Sequence, residues 1–335
     1  MADAAPLLES VLQLQRQIRD AVLEAATRQE VAHLAHVDRD DEGDTIYRID
    51  AVADGILEAW AQGLARTERF VLIAEGLPGG ERTYPHGTVA ADARWRIIVD
   101  PIDGTRGIMY QKRSAWVLTA VAPNRGPATG LRDVELAAQT EIPTLKQHLS
   151  DRLWAIRGRG AAAERYDRLT GTSRALPVAP STARSIAHGY ATVSRFFPGG
   201  RDLLAAIDDE VVRGALGPVQ RGKAGCFEDQ YTSTGGQLYE LMAGHDRFIA
   251  DLRPLLDRML AARGQELGIC CHPYDICTAL IATEAGVLLT DAQGGTLDAP
   301  LTVDADVAWA GYANRDIQSQ IEPLLLQALR RRGWI

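Results

Sequence analysis

Four cysteines in 335 residues are too few for a disulfide scaffold. The chain also lacks an excess of positive charge. Its 36 lysines and arginines face 44 acidic residues, for a formal net charge of −8. That balance argues against a nucleic-acid polymer as partner. No basic stretch precedes an apolar one at the Met-Ala-Asp-Ala-Ala-Pro start, so no signal peptide is expected. The best apolar run, near Ala115 to Pro123, is far too short for a bilayer. Repeats and low-complexity tracts are missing too. A reducing cytoplasm, with no membrane partner, is the expectation left standing.

What is present is ordinary globular material, 46% hydrophobic and 24% charged. Apolar residues at helical spacing predict a helix over 7–28 and a second one from about Asp50, with an acidic loop from Asp38 to Asp44 between them. Short apolar runs predict strands at 70–74, 96–99, 114–121, 133–137, 153–156 and 287–290. The Gly- and Pro-rich stretch 76–94 reads as a loop or lid. Helices are expected at 201–213, 234–243, 275–285 and 322–331, the last with Pro323 in its first turn. The pattern is α/β or α+β with more than one sheet, divided near the polar segment 170–184 into residues 1–183 and 184–335.

The strongest chemical signal is Asp100-Pro101-Ile102-Asp103-Gly104-Thr105, delivered by an apolar strand. Two carboxylates on a turn fixed by proline can face one point. The amides of Gly104 and Thr105 offer an anion site. Acids beside phosphate-binding amides would repel a phosphate unless hard divalent cations lie between them, and Mg²⁺ is the usual ion. The bland alternative is a capped turn with Asp103 bonded to backbone amides. Glu75 ends a strand, Asp275 starts a helix and Asp44 lies in the acidic loop; each has a structural explanation of its own.

Taken in order, these segments resemble the inositol monophosphatase superfamily, which includes fructose-1,6-bisphosphatases and bisphosphate nucleotidases. The matches are Asp44-Thr-Ile-Tyr-Arg-Ile-Asp50, Glu75, Asp100 to Thr105, Trp154 to Ala161, Tyr274-Asp275, Glu284-Ala-Gly286 and Thr290 to Gly295. The resemblance implies a layered α-β-α-β-α sandwich. It implies metal ligation by Glu75, Asp100, the Ile102 carbonyl, Asp103 and Asp275, with two or three Mg²⁺ ions and Mn²⁺ as a substitute. It implies phosphate binding by Gly104 and Thr105, and activation of the attacking water by Asp44 and the Thr105 hydroxyl. Asp50 is left out of the site as structural. Arg106 is a candidate substrate contact.

The function implied is hydrolysis of a small phosphorylated metabolite by in-line attack of a metal-activated water. Alternatives are a fructose-1,6-bisphosphatase-like or 3′(2′),5′-bisphosphate nucleotidase-like activity, which Arg106, Arg221 and Lys223 keep open, and a degenerate metal-binding relative without turnover. Homodimers are common in such families. Gly76 stands where many members carry a second Glu, which bears on the number of metal sites and on lithium inhibition. Residues 252–271 look like an insertion. Cys270-Cys271-His272 with Cys277 lacks a Cys-x-x-Cys spacing and reads as buried thiols rather than a zinc site. Ser233-Thr234-Gly235-Gly236 reads as a closely packed helix start, with a second anion cradle as the alternative.

Overall fold

The structure is a computed structural model that describes residues 3–28, 37–41 and 44–335, with side chains for 3–28 and 49–335. In chain order the elements are α1 (Leu8–Arg28), β1 (Val37–Asp41), β2 (Asp44–Tyr47), α2 (Arg48–Leu64), β3 (Phe70–Ala74), β4 (Glu81–Tyr84), β5 (Trp95–Asp103), α3 (Thr105–Met109), β6 (Ala115–Pro123), β7 (Leu136–Ile142), β8 (Leu149–Ile156), β9 (Ala161–Asp167) and β10 (Thr172–Ala175). There follow β11 (Tyr190–Val193), α4 (Arg201–Leu216), α5 (Thr234–Met242), β12 (Asp246–Asp251), α6 (Asp257–Ala261), α7 (Pro273–Ile276), α8 (Ala279–Glu284), β13 (Leu288–Asp291), β14 (Trp309–Tyr312) and α9 (Arg315–Arg331).

Three cores alternate with two sheets, and alternation along the strands decides which face goes where. The large sheet has the order β10-β9-β8-β7-β6-β5-β3-β4. On one face Phe70, Leu72, Ile97, Val99, Val117 and Val121 meet Val11, Leu14, Ile18 and Val22 of α1 and Leu57 of α2. On the other face Val71, Ile73, Ile98, Leu118 and Ala120 meet Leu238, Leu241 and Met242 of α5 and Ile276, Leu280 and Ile281 of α7 and α8. That middle layer also covers Ile249 and Trp309 of the small sheet, β11-β12-β14-β13. The far face of the small sheet, with Phe248, Ala250, Ala310 and Tyr312, packs on α4 and α9. The expected α-β-α-β-α layering is the architecture observed.

Several local expectations give way to tertiary pairing. Within the supposed acidic loop, β1 and β2 pair antiparallel, with Asp41 opposite Asp44. The supposed lid 76–94 contains β4, an edge strand antiparallel to β3. The expected helix over 275–285 is two short helices, α7 and α8. α9 starts at Arg315 rather than Glu322, because the Asn314 side chain accepts the Ile317 amide at 3.0 Å as an N-cap. Pro323 therefore sits inside the helix, not in its first turn.

Two of the ordered motifs brace each other. The Glu284 carboxylate accepts the Gly158 amide at 2.6 Å and the Gly160 amide at 2.8 Å. The 252–271 segment sinks Leu252, Leu256 and Leu260 into the core beneath α4. Its residues 266–268 press on the Pro198-Gly199-Gly200 loop so closely that a Cβ on Gly199 would lie 2.9 Å from the Glu266 carbonyl.

Candidate active site

A straight strand would send Asp100 and Asp103 to opposite faces of the sheet, since three positions is an odd step. β5 avoids this by shifting register. Asp100 pairs with Leu118 and Asp103 with Trp116, so three steps on one strand oppose two on the other. Pro101, with no amide to donate, is the residue that can occupy such an interruption. The turn is locked by the Ile102 amide, which donates to Asp100 Oδ1 at 3.0 Å. Gly104 follows at φ 95°, a conformation that suits glycine, and α3 begins at Thr105.

Glu75 reaches the same place because β3 runs parallel to β5 with Ala74 beside Val99. Asp275 arrives from the opposite side as the third residue of α7, where its Oδ2 accepts the His272 amide at 2.6 Å. One carboxylate oxygen from each of Asp100, Asp103 and Asp275 lies within 4.8 Å of the other two. Glu75, Ile102, Gly104, Thr105 and Arg106 line the same cavity. Its volume of about 100 Å³ holds a phosphate-sized group rather than a whole metabolite.

Bringing these acids together is electrostatically costly. Burial, then the charges of Asp103, Asp275 and Glu75, push the Asp100 carboxyl well above the usual carboxylate range. Burial, then Asp103, does the same to Asp275. Asp103 is pushed by burial to about 7, against the pull of donors from α5. Ser233 Oγ donates to Asp103 Oδ2 at 2.8 Å and the Gly235 amide to the same oxygen at 2.6 Å. The Thr234 amide donates to Asp103 Oδ1 at 3.3 Å. The anion at this helix N-terminus is thus Asp103 itself. The close-packing expectation for this segment also holds: a Cβ on Gly235 would sit 2.5 Å from Leu118 Cδ2 and 3.0 Å from Asp103 Oδ2.

Oxygen-only donors with acids that resist ionisation together are a fit for hard divalent cations, which would replace the missing counter-charge.

Asp50, set apart above as structural, stands next to these residues. Asp50 lines the cavity, and Thr105 Oγ1 lies 2.9 Å from Asp50 Oδ1 and 2.8 Å from the Ile102 carbonyl. The Asp44 side chain lies outside the described residues. Arg221 and Lys223 are exposed and do not line the cavity. Arg253, Phe196 and Phe197 are among the wall residues that were not foreseen. Arg253 is buried, with Nη2 and Nε on Asp251 and Nη1 on the Ile269 carbonyl, and its guanidinium lies 4.4 Å from the Phe196 ring centre. Phe197 lies under both Arg253 and Arg106.

The layered sandwich and its buried acidic cleft place the chain in a recognised structural class. It superposes on the extragenic suppressor protein SuhB of Bartonella henselae with a TM-score of 0.63 at 17% identity, covering 96% of this chain and 98% of that one. Fructose-1,6-bisphosphatase of Leishmania major, in its holo form, gives 0.66 at 14%, covering 97% and 94%. An IMPase of Thermotoga maritima gives 0.59 at 16%, covering 97% and 98%. No family model matches the sequence, and no curated protein does. These likenesses show that the chain shares its fold with those three proteins. Among the described residues no helix is long and apolar enough to cross a membrane.

Proposed function

We propose that this chain is a metal-dependent phosphatase acting on a small phosphate monoester. The observation that carries the reading is the convergence of Asp100, Asp103 and Asp275 within 4.8 Å, beside Glu75 and the Gly104–Thr105 turn. The superfamily fold supports it. Glu75, Asp100, Asp103, Asp275 and the Ile102 carbonyl would hold the cations, with Mg²⁺ the expected ion and Mn²⁺ a substitute. Bound there, such ions neutralise phosphate oxygens and acidify water.

The rest is done by the chain's own groups. Asp103 is held at both oxygens by α5, and Asp100 at one by Ile102, so neither carboxylate must reorganise on binding. The Gly104 and Thr105 amides, on the turn that opens α3, would hold phosphate oxygens. The Thr105 hydroxyl has two acceptors within reach. With the Ile102 carbonyl committed to a cation, the Thr105 hydroxyl would donate to Asp50, and as its oxygen takes a proton from the attacking water it would pass its own proton to the Asp50 carboxylate. Asp50 would thereby join the groups read as activating the water, beside Asp44, whose side chain lies outside the described residues. Phe196 and Phe197 form an apolar wall on the substrate side.

The test is phosphate release by the purified chain across inositol phosphates, sugar phosphates and bisphosphonucleotides. Turnover that requires Mg²⁺ and falls to background in Asp275→Asn supports the proposal. Turnover insensitive to EDTA, or retained in Asp100→Asn, refutes it.

A further inference from the structure

Cys270 and His272 alternate along an extended stretch just before α7, so their side chains leave it on the same side. Cys271 between them points into the core, where Thr234 Oγ1 lies 3.8 Å from its sulfur. A second loop runs alongside, fixed by the Val307 amide donating to the Cys271 carbonyl at 2.9 Å. That bond sets Asp306 opposite the pair. Cys270 Sγ donates to Asp306 Oδ1 at 2.7 Å, and His272 Nδ1 lies 3.7 Å from the same oxygen. One thiol, one imidazole nitrogen and one carboxylate oxygen lie within 4.8 Å of one another.

We propose that Cys270, His272 and Asp306 form a binding site for a thiophilic divalent cation of the Zn²⁺ class. The donor set decides the class. The neighbouring Asp100–Asp103–Asp275 cluster offers oxygen alone and suits hard ions; sulfur with imidazole suits zinc and its analogues. The Cys-Cys-His motif, read by itself, fails as a zinc motif because it lacks a paired spacing. The third ligand comes from a loop more than thirty positions away, which sequence spacing does not reveal.

The geometry needs little adjustment. Ligands on one tetrahedral Zn²⁺, bonded at about 2.0–2.3 Å, stand roughly 3.5 Å apart. The His272–Asp306 separation of 3.7 Å already agrees. The Cys270–Asp306 contact must open by roughly 1 Å to reach that spacing, and Asp306, with 44% of its side chain exposed, is free to turn. The proton count is explicit. Cys270 gives up its thiol proton to solvent on binding. His272 Nδ1 donates to the Ala305 carbonyl at 3.0 Å, so to offer Nδ1 the ring must give up that bond and carry its proton on Nε2. One proton is therefore released per ion, and water fills the fourth position. The ion would tie the 270–272 stretch to the 305–307 loop, and hence the backbone amide that holds Asp275. The inference stands on these three side chains and does not depend on the phosphatase reading.

The experiment uses the full chain saturated with Mg²⁺, titrated with Co²⁺ and with Cd²⁺. A thiolate-to-metal charge-transfer band saturating at one equivalent, with one proton released in weak buffer, is expected. Cys270→Ser abolishes the band. His272→Gln and the exposed Asp306→Asn weaken binding by more than about tenfold, since losing a ligand costs more than losing a partner of one. Cys226→Ser and Asp100→Asn leave the band unchanged. Absence of the band in the unmodified chain overturns the proposal, as does its persistence in Cys270→Ser. If Cys270→Ser does not fold, Asp306→Asn decides: unchanged affinity there refutes the site.

Discussion

Replacing Asp100 with Asn removes one charge from the buried cluster with almost no change in shape. Two ionised carboxylates 4.8 Å apart repel by roughly 3 kcal/mol at an effective dielectric of about 20. Asp100 has two such neighbours, so full ionisation would involve roughly twice that. The metal-free protein escapes part of the repulsion by keeping protons: burial first, joined for Asp100 and Asp275 by the neighbouring charges, makes all three carboxyls titrate late. Each raised carboxyl therefore costs stability as pH rises, because the unfolded chain ionises near pH 4 while the folded one holds its proton. For Asp103 that loss runs from about pH 4 to about 7. The Asn variant should thus gain about 2–3 kcal/mol in EDTA at pH 8 after relaxation, which for a chain this long is about 3–4 °C in Tm. The gain should shrink towards zero near pH 4. With Mg²⁺ the order reverses, because the parent chain is stabilised by binding and the variant loses most of that benefit. Thermal melts in EDTA and in Mg²⁺ across pH 4–8 read this directly. A variant less stable than the parent in EDTA at pH 8, or stabilised equally by Mg²⁺, would refute the electrostatic account.

Other perturbations separate support from chemistry. Thr105→Ala should lower kcat by about 10²–10⁴ with little effect on Tm, and Asp50→Asn should follow it, while Thr105→Ser restores most of the rate; equal rates in all three would exclude Thr105 from proton transfer. Gly235→Ala places a methyl against Leu118 and Asp103 and should cost about 1–3 kcal/mol in denaturant melts, with weaker Mg²⁺ binding by calorimetry. Gln15→Ala strips a buried side chain from Thr119, the Ala138 carbonyl and Thr140, costing about 1–3 kcal/mol while kcat/KM stays unchanged.

Strands β3, β5 and β6 were legible because both their faces are buried, so each reads as an unbroken apolar run. β4 and β10 were not. They lie at the two ends of the large sheet and carry Glu-Arg-Thr-Tyr and Thr-Ser-Arg-Ala, sequences that only a neighbour's open edge turns into strands. Local capping chemistry was readable in principle at Asn314, yet the polar first turn of α9 hides the helix from a search by apolar period. At the site, the Asp100–Asp103 turn announced itself, because acids, proline and glycine in that order have few other uses. Asp50, Arg253 and Asp306 did not, since a lone charged residue looks the same on a surface as in a cleft.

By itself, then, the order of residues determined the alternation of apolar and polar positions, the breaks that divide the elements, and which acids stand at strand and helix ends. These depend on chain neighbours, whose spacing the backbone period sets. Tertiary structure alone decided which of those acids share one cavity, and that α5 spends its N-terminus on Asp103. It likewise decided that Thr105 meets Asp50. Such pairings join side chains far apart along the chain, and only the packing of layer on layer brings them within reach.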